Sequence, residues 1–147
     1  MSISLVKKIC APAILLFIVF VSFSCNSTRS SIGVEEGWDL LGEKKVNFVR
    51  DRDDIQVRNS NRYTALRFKI ENRDVRLNNL TVNYVNGDKL SPAVDDVVTA
   101  GQSSRVIELA AEGKTISTIS FKYRTEGSIL KGRGRVLVFG KRYTSGY

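Results

Sequence analysis

The sequence has 147 residues and a formal net charge of +8, with 23 basic residues, 15 acidic residues, two cysteines and no histidine. This length predicts one domain with a sizeable core. Without histidine, the usual zinc sites, histidine-activated nucleophiles and histidine acid–base catalysis lack their main component. We therefore expect no metal, no cofactor and no enzymatic activity.

Residues 1–24 have the features of a secretory signal peptide of the lipoprotein type. Lys7 and Lys8 precede an apolar run at 13–21, and small residues lead up to Cys25. The alternative is a membrane span, but the apolar stretch is shorter than the roughly 20 residues that cross a bilayer core. The pattern favours export.

Cys25 is the predicted lipidation site, because a cysteine directly after such a signal resembles a bacterial lipobox. Ordinary cleavage after Ser24 is the alternative. Residues 25–36 then form the lipid anchor and a polar tether. We expect a membrane lipoprotein that faces the periplasm or the cell surface, in the outer membrane if the cell is Gram-negative. Anionic partners there, such as acidic glycans or lipid head groups, suit the basic charge better than nucleic acid does.

Residues 37–141 are predicted to form an all-β domain, followed by a polar and aromatic tail at 142–147. Apolar and polar residues alternate in two runs within 63–88, which predicts a half-buried antiparallel hairpin there. Asn86-Gly87 predicts a tight turn. Ile116 is out of phase with the residues that follow it, which predicts a bulge or bend.

The whole pattern predicts about eight short strands and no amphipathic helix. It indicates a single antiparallel β-sandwich of jelly-roll or related Greek-key topology. The run of charges at 51–54 is interpreted as a turn before a short strand at 55–57.

Basic side chains around the last two predicted strands form a candidate anion-binding patch, on the expectation that these strands pair in a hairpin. The alternative is an ordinary solvated face that blunts a sheet edge. The candidate residues are Lys122, Arg124, Lys131, Arg133 and Arg135.

Asp53 and Arg105 are predicted to form a structural ion pair. Alternation places each of them on the same face as buried apolar residues, and a buried charge needs a partner. Loop carboxylates also leave open a hydrolase that uses paired acids.

Three segments of the chain resemble recurring blocks of a family of small exported bacterial proteins whose function is unknown. They are WDLLG at 38–42, SRVIEL at 104–109, and the pattern of Ile116, Ile119, Phe121 and Tyr123. The resemblance implies a compact β-sandwich in the cell envelope, and it supplies no site residues.

Three functions follow from these observations. The first is a non-catalytic module of an envelope lipoprotein that binds an anionic glycan, a lipid head group or a protein partner. The second is a structural or assembly accessory that offers a sheet edge to a partner strand. The third is a glycan hydrolase that depends on carboxylates.

Overall fold

Nine β-strands make up the described part of the chain, which is residues 35–46, 51–127 and 132–146 of a computed structural model. All paired strands are antiparallel, and these residues contain no helix, which confirms the all-β prediction. The segment predicted as a charged turn at 51–54 belongs to a strand instead. The strands are β1 (Trp38–Val46), β2 (Asp51–Gln56), β3 (Arg62–Glu71), β4 (Val75–Tyr84), β5 (Lys89–Leu90), β6 (Asp95–Val98), β7 (Ile107–Glu108), β8 (Lys114–Thr125) and β9 (Gly134–Arg142).

The strands form two groups that share one core. In the first, β9 lies between β1 and β3, and β7 pairs with β3. In the second, β8 lies between β2 and β4, and β4 also pairs with β5 and β6. The groups join where the first residues of β3 and β8 pair, at Tyr63 and Lys114. This arrangement is compatible with the predicted sandwich; the jelly-roll detail stays a prediction.

The hairpin predicted within 63–88 is wrong, because β3 and β4 belong to different groups. Phe68 of β3 lies opposite Val138 of β9, whereas Leu77 of β4 lies opposite Tyr123 of β8. Alternation predicts which face of a strand is buried, but it does not specify the neighbouring strand. The turn between β3 and β4 therefore carries the chain from one group to the other.

Distant parts of the chain bind the residues of that turn. The carboxylate of Asp74 accepts a hydrogen bond from the amide of Ala100 at 2.8 Å. Arg73 is 3% exposed, and its Nη1 donates to the carbonyl oxygen of Gly132 at 3.2 Å. A buried guanidinium needs such acceptors, and here main-chain carbonyls supply them.

Two smaller predictions about turns and bulges are confirmed. Gly87 has a φ of 91°, and the amide of Tyr84 donates to the carbonyl of Asp88, which closes the turn between β4 and β5. The β4–β8 ladder shifts register where Tyr84 meets Ile116. This shift is the bulge that the out-of-phase isoleucine predicts.

Aromatic side chains fill the space between the two groups of strands. Phe68 of β3 meets Phe121 of β8 edge to face, with ring centroids 5.5 Å apart. Tyr63 and Tyr123 are fully buried beside them. Large buried rings contribute much of the apolar area that stabilises a small domain. Polar side chains are left to the outer faces, and one of these faces carries the candidate site.

Candidate functional site

The outer face of β2, β8 and β4 carries polar side chains in rows across the strands. In one row, Arg52 of β2 lies opposite Lys122 of β8, which lies opposite Asn78 of β4. In the next row, Ser120 has Thr81 on one side. Side chains directly opposite each other share a face of the sheet and lie about 5 Å apart at Cβ.

A groove of about 640 Å³ lies on this face, and we call it the outer groove. Its wall is formed by residues 91–95, which follow β5 and lead into β6 beside β4. The hydroxyls of Thr81 and Ser91 are 3.2 Å apart and form a hydrogen bond. Ser120 is 7% exposed although it belongs to the outer face, because it lies deep in this groove.

A bulge in β4 shapes the groove. The β4–β8 ladder shifts register between Asn78 and Leu80, and Asn79 between them has a φ of 50°. Asparagine adopts this left-handed region more readily than most residues. The extra residue adds its polar side chain to the groove lining, which is a common use of a bulge next to a binding site.

The Arg52–Lys122 pair concentrates positive charge at the groove. Like charges directly opposite each other in a ladder are destabilising unless an acid offsets them. The acid nearest Arg52 is Asp54, at 4.0 Å, and both of these side chains are more than half exposed. Lys122 has no ion-pair partner within residues 35–46, 51–127 and 132–146.

The neighbouring like-charged pair is different, because an acid bridges it. Arg76 lies opposite Arg124, and the carboxylate of Glu126 is 3.2 Å from each guanidinium. The hydrogen bonds from these two arginines lower the pKa of Glu126. Of the two adjacent basic pairs, the one at the groove has the weaker compensation.

The structure separates the residues of the predicted anion patch. The hairpin expected to join them is wrong, since β8 pairs with β2 and β4 whereas β9 pairs with β1 and β3. Arg124 binds Glu126, and Arg135 lies 3.6 Å from Glu43. Arg133 is exposed just before β9, and Lys131 lies outside the described residues.

Lys122 is the member of the predicted patch that lines the outer groove. Sequence reasoning missed its companions Arg52, Asn79, Thr81 and Ser91, which come from other strands and from the wall. Alternation alone predicts that Lys122 and Ser120 share an outward face. The role of Lys122 in binding an anion stays a prediction.

The predicted pairing of Asp53 with Arg105 is wrong. Arg105 donates from Nε to the carboxylate of Asp96 at 2.9 Å, and its side chain is 54% exposed. Asp53 accepts a hydrogen bond from the hydroxyl of Tyr123 at 2.9 Å. Alternation fails for Arg105 because β7 contains only Ile107 and Glu108, so Arg105 lies in the loop before it.

A second polar cluster lies where β1, β3 and β9 meet. The carboxylate of Asp39 accepts hydrogen bonds from the hydroxyl of Tyr63 at 3.1 Å and from the side-chain amide of Asn61 at 3.2 Å. It also binds the guanidinium of Arg142. The bonds from Arg142 are the main reason why the pKa of Asp39 is lowered from 3.8. This cluster holds strand ends together.

Predictions about the first residues, including Cys25 and the signal peptide, concern positions outside the described residues. Within the described ranges, no three histidine, cysteine or acidic side chains are grouped so as to hold a metal ion. The same ranges contain no helix that is long and apolar enough to cross a membrane.

The fold and groove define an all-β module with a ligand-sized, basic outer groove. The chain belongs to the family of the domain of unknown function DUF2541, whose match covers residues 13–140. A search of curated proteins found no match.

Two solved structures have a related arrangement of strands. One is AlgX of Pseudomonas aeruginosa, at 12% identity and a TM-score of 0.45, covering 72% of this chain and 27% of that one. The other is a chain of infectious bursal disease virus strain Gx, at 11% identity and a TM-score of 0.34, covering 71% and 34%. This chain therefore spans only about a quarter to a third of the length of either.

Proposed function

We propose that this domain is a non-catalytic binding module that takes an anionic glycan in the outer groove. The observation that carries the proposal is the Arg52–Lys122 pair, two cations held opposite each other at the groove with weak internal compensation. A sulfate, phosphate or carboxylate group between them would replace the missing negative charge and accept charge-assisted hydrogen bonds.

The rest of the lining suits a sugar. Thr81, Ser91 and Ser120 offer hydroxyls, and Asn79 offers an amide, around an open groove of about 640 Å³. Such groups donate and accept hydrogen bonds with the hydroxyls of a glycan. The volume lies within the usual range for ligand sites. A phospholipid would also need apolar surface for its acyl chains, and the groove lining is mostly polar.

The same lining favours binding over hydrolysis. Glycosidase chemistry needs two carboxyl groups facing each other across the substrate. Asp95 is the one carboxylate that lines the outer groove, and it lies 3.2 Å from the guanidinium of Arg76. An acid paired in this way supports a structural role better than proton transfer.

The test compares sulfated and neutral forms of one polymer. We expect the full-length protein to bind dextran sulfate in calorimetry and to bind uncharged dextran far more weakly. Each of Arg52→Gln and Lys122→Gln should weaken binding by about tenfold, because each removes a charged hydrogen-bond donor. Arg58→Gln removes one charge from an exposed position outside the outer groove and serves as the matched control.

Equal losses in the Arg58 control and in the groove variants would mean that the binding depends on general charge and would contradict the groove. Vesicles containing phosphatidylglycerol, compared with pure phosphatidylcholine, form the second arm. Stronger binding to the anionic vesicles than to dextran sulfate, again lost in Lys122→Gln, would assign the groove to a lipid head group instead.

We also propose that the protein is exported and anchored to a membrane through Cys25. The support is the order of charges, apolar run and cysteine in residues 1–25. The change Cys25→Ser removes the thiol that would carry the lipid. We expect it to move the protein from the membrane fraction to the soluble fraction after export, and to abolish labelling by radioactive palmitate. Membrane retention and labelling equal to those of the unaltered protein would contradict the anchor.

A further inference from the structure

The wall of the outer groove depends on side-chain bonds for its position. Residues 91–94 connect β5 to β6 and belong to no strand. Ser91 bonds to Thr81 of β4 at 3.2 Å, and Asp95 lies 3.2 Å from the guanidinium of Arg76. Between these two points, the wall needs a further attachment to stay fixed.

Arg105 supplies that attachment from outside the groove. Its Nη2 donates to the carbonyl oxygen of Ala93 at 2.8 Å, and its Nε donates to the carboxylate of Asp96 at 2.9 Å. Ala93 lines the outer groove, whereas Arg105 and Asp96 do not. The planar guanidinium fork fixes the angle between its two acceptors. One side chain therefore connects the middle of the wall to the strand that follows it.

We infer that Arg105 is a positioning residue that sets the width of the outer groove and, with it, the affinity for the glycan. The inference rests on the proposed function, since it concerns the same site. Arg105 acts through the carbonyl of Ala93 and does not touch the ligand. Lysine at this position keeps the charge but has a single terminal nitrogen, so it lacks the fork that orients the two bonds.

Two measurements test the role of Arg105 independently of each other. Hydrogen exchange of the peptide that covers residues 91–95, in the full-length protein without ligand, should become severalfold faster in Arg105→Gln because the wall opens more often. The affinity for dextran sulfate should fall about fivefold, the typical value for one lost hydrogen bond. Arg105→Lys should lie between Arg105→Gln and the unaltered protein, and Arg58→Gln should change neither quantity.

The salt dependence of binding distinguishes positioning from direct contact. Each cation that binds a polyanion steepens the fall of affinity with salt concentration. Lys122→Gln should therefore reduce this slope, whereas Arg105→Gln should leave it unchanged. A reduced slope in Arg105→Gln would show direct contact with the ligand and overturn the inference.

Unchanged exchange and unchanged affinity in Arg105→Gln would also overturn it. If the unaltered protein fails to bind dextran sulfate, the proposed function fails with this probe. The exchange measurement would still decide whether Arg105 holds the wall. If Lys122→Gln loses affinity while Arg105→Gln does not, the proposed function stands and only the positioning role is wrong.

Discussion

Replacing Phe68 by alanine is expected to lower the free energy of unfolding by about 4 kcal/mol, the usual range for a buried phenylalanine. Its ring is 1% exposed and meets Phe121 edge to face across the two groups of strands. The loss combines the apolar area returned to water with the cavity left between the groups. Chemical denaturation, followed by the fluorescence of Trp38, measures it.

Val85→Ala is the control for this experiment, because Val85 is 66% exposed and the change should cost less than about 0.5 kcal/mol. A loss below about 1.5 kcal/mol for Phe68→Ala would contradict the core described here. It would mean that the two groups of strands do not depend on this contact.

Replacing Asp39 by asparagine is expected to cost about 2 kcal/mol at neutral pH, since hydrogen bonds to charged groups contribute more than neutral ones. The variant loses the ionic bond to Arg142 and weakens the acceptor for the buried hydroxyl of Tyr63. Glu43→Gln is the matched control. Glu43 is more than half exposed and lies 3.6 Å from Arg135, so its loss should cost little.

The cost of Asp39→Asn should depend on pH in a defined direction. Arg142 holds the pKa of Asp39 below its ordinary value of 3.8 in the folded protein. The unfolded chain therefore takes up a proton at this site first, and the stabilisation by Asp39 is complete only above that ordinary value. Unfolding curves of both proteins should converge as the pH falls below about 4 and through the lower folded pKa. A difference that stays constant from pH 7 to pH 3 would contradict this role.

Alternation predicted the buried faces correctly. Leu66, Phe68 and Ile70 are each at most 1% exposed, as their shared face in β3 predicts. The turn at Gly87 and the bulge at Ile116 were also predicted, because each has a local cause in backbone conformation or phase. These features depend on residues close together in the chain.

The neighbours of each strand could not be predicted from the sequence. The turn after β3 contains Arg73 and Asp74, which look like the polar residues of a hairpin. Their partners, Gly132 and Ala100, are 59 and 26 residues away in sequence. Only these distant contacts decide that β4 joins β8 instead of β3. Two strands with the same alternation give no signal that separates these possibilities.

The candidate site was predictable only in part for the same reason. Lys122 was expected to face outward, and it does. Arg52 is 70 residues earlier in the sequence and reaches the same groove through the pairing of β2 with β8. Because the charged segment 51–54 was interpreted as a turn, Arg52 was not considered as a partner for Lys122.

The position of β9 has a consequence for when the protein folds. β9 is the last strand in the chain, yet it lies between β1 and β3, and Trp38 near the start pairs with Lys141 near the end. During synthesis, β1 emerges first and then waits for a partner until residues 134–142 have been made. Pairing of such distant segments is also intrinsically slow. The domain therefore completes its fold only after translation, which keeps the nascent chain open for passage through a translocation channel.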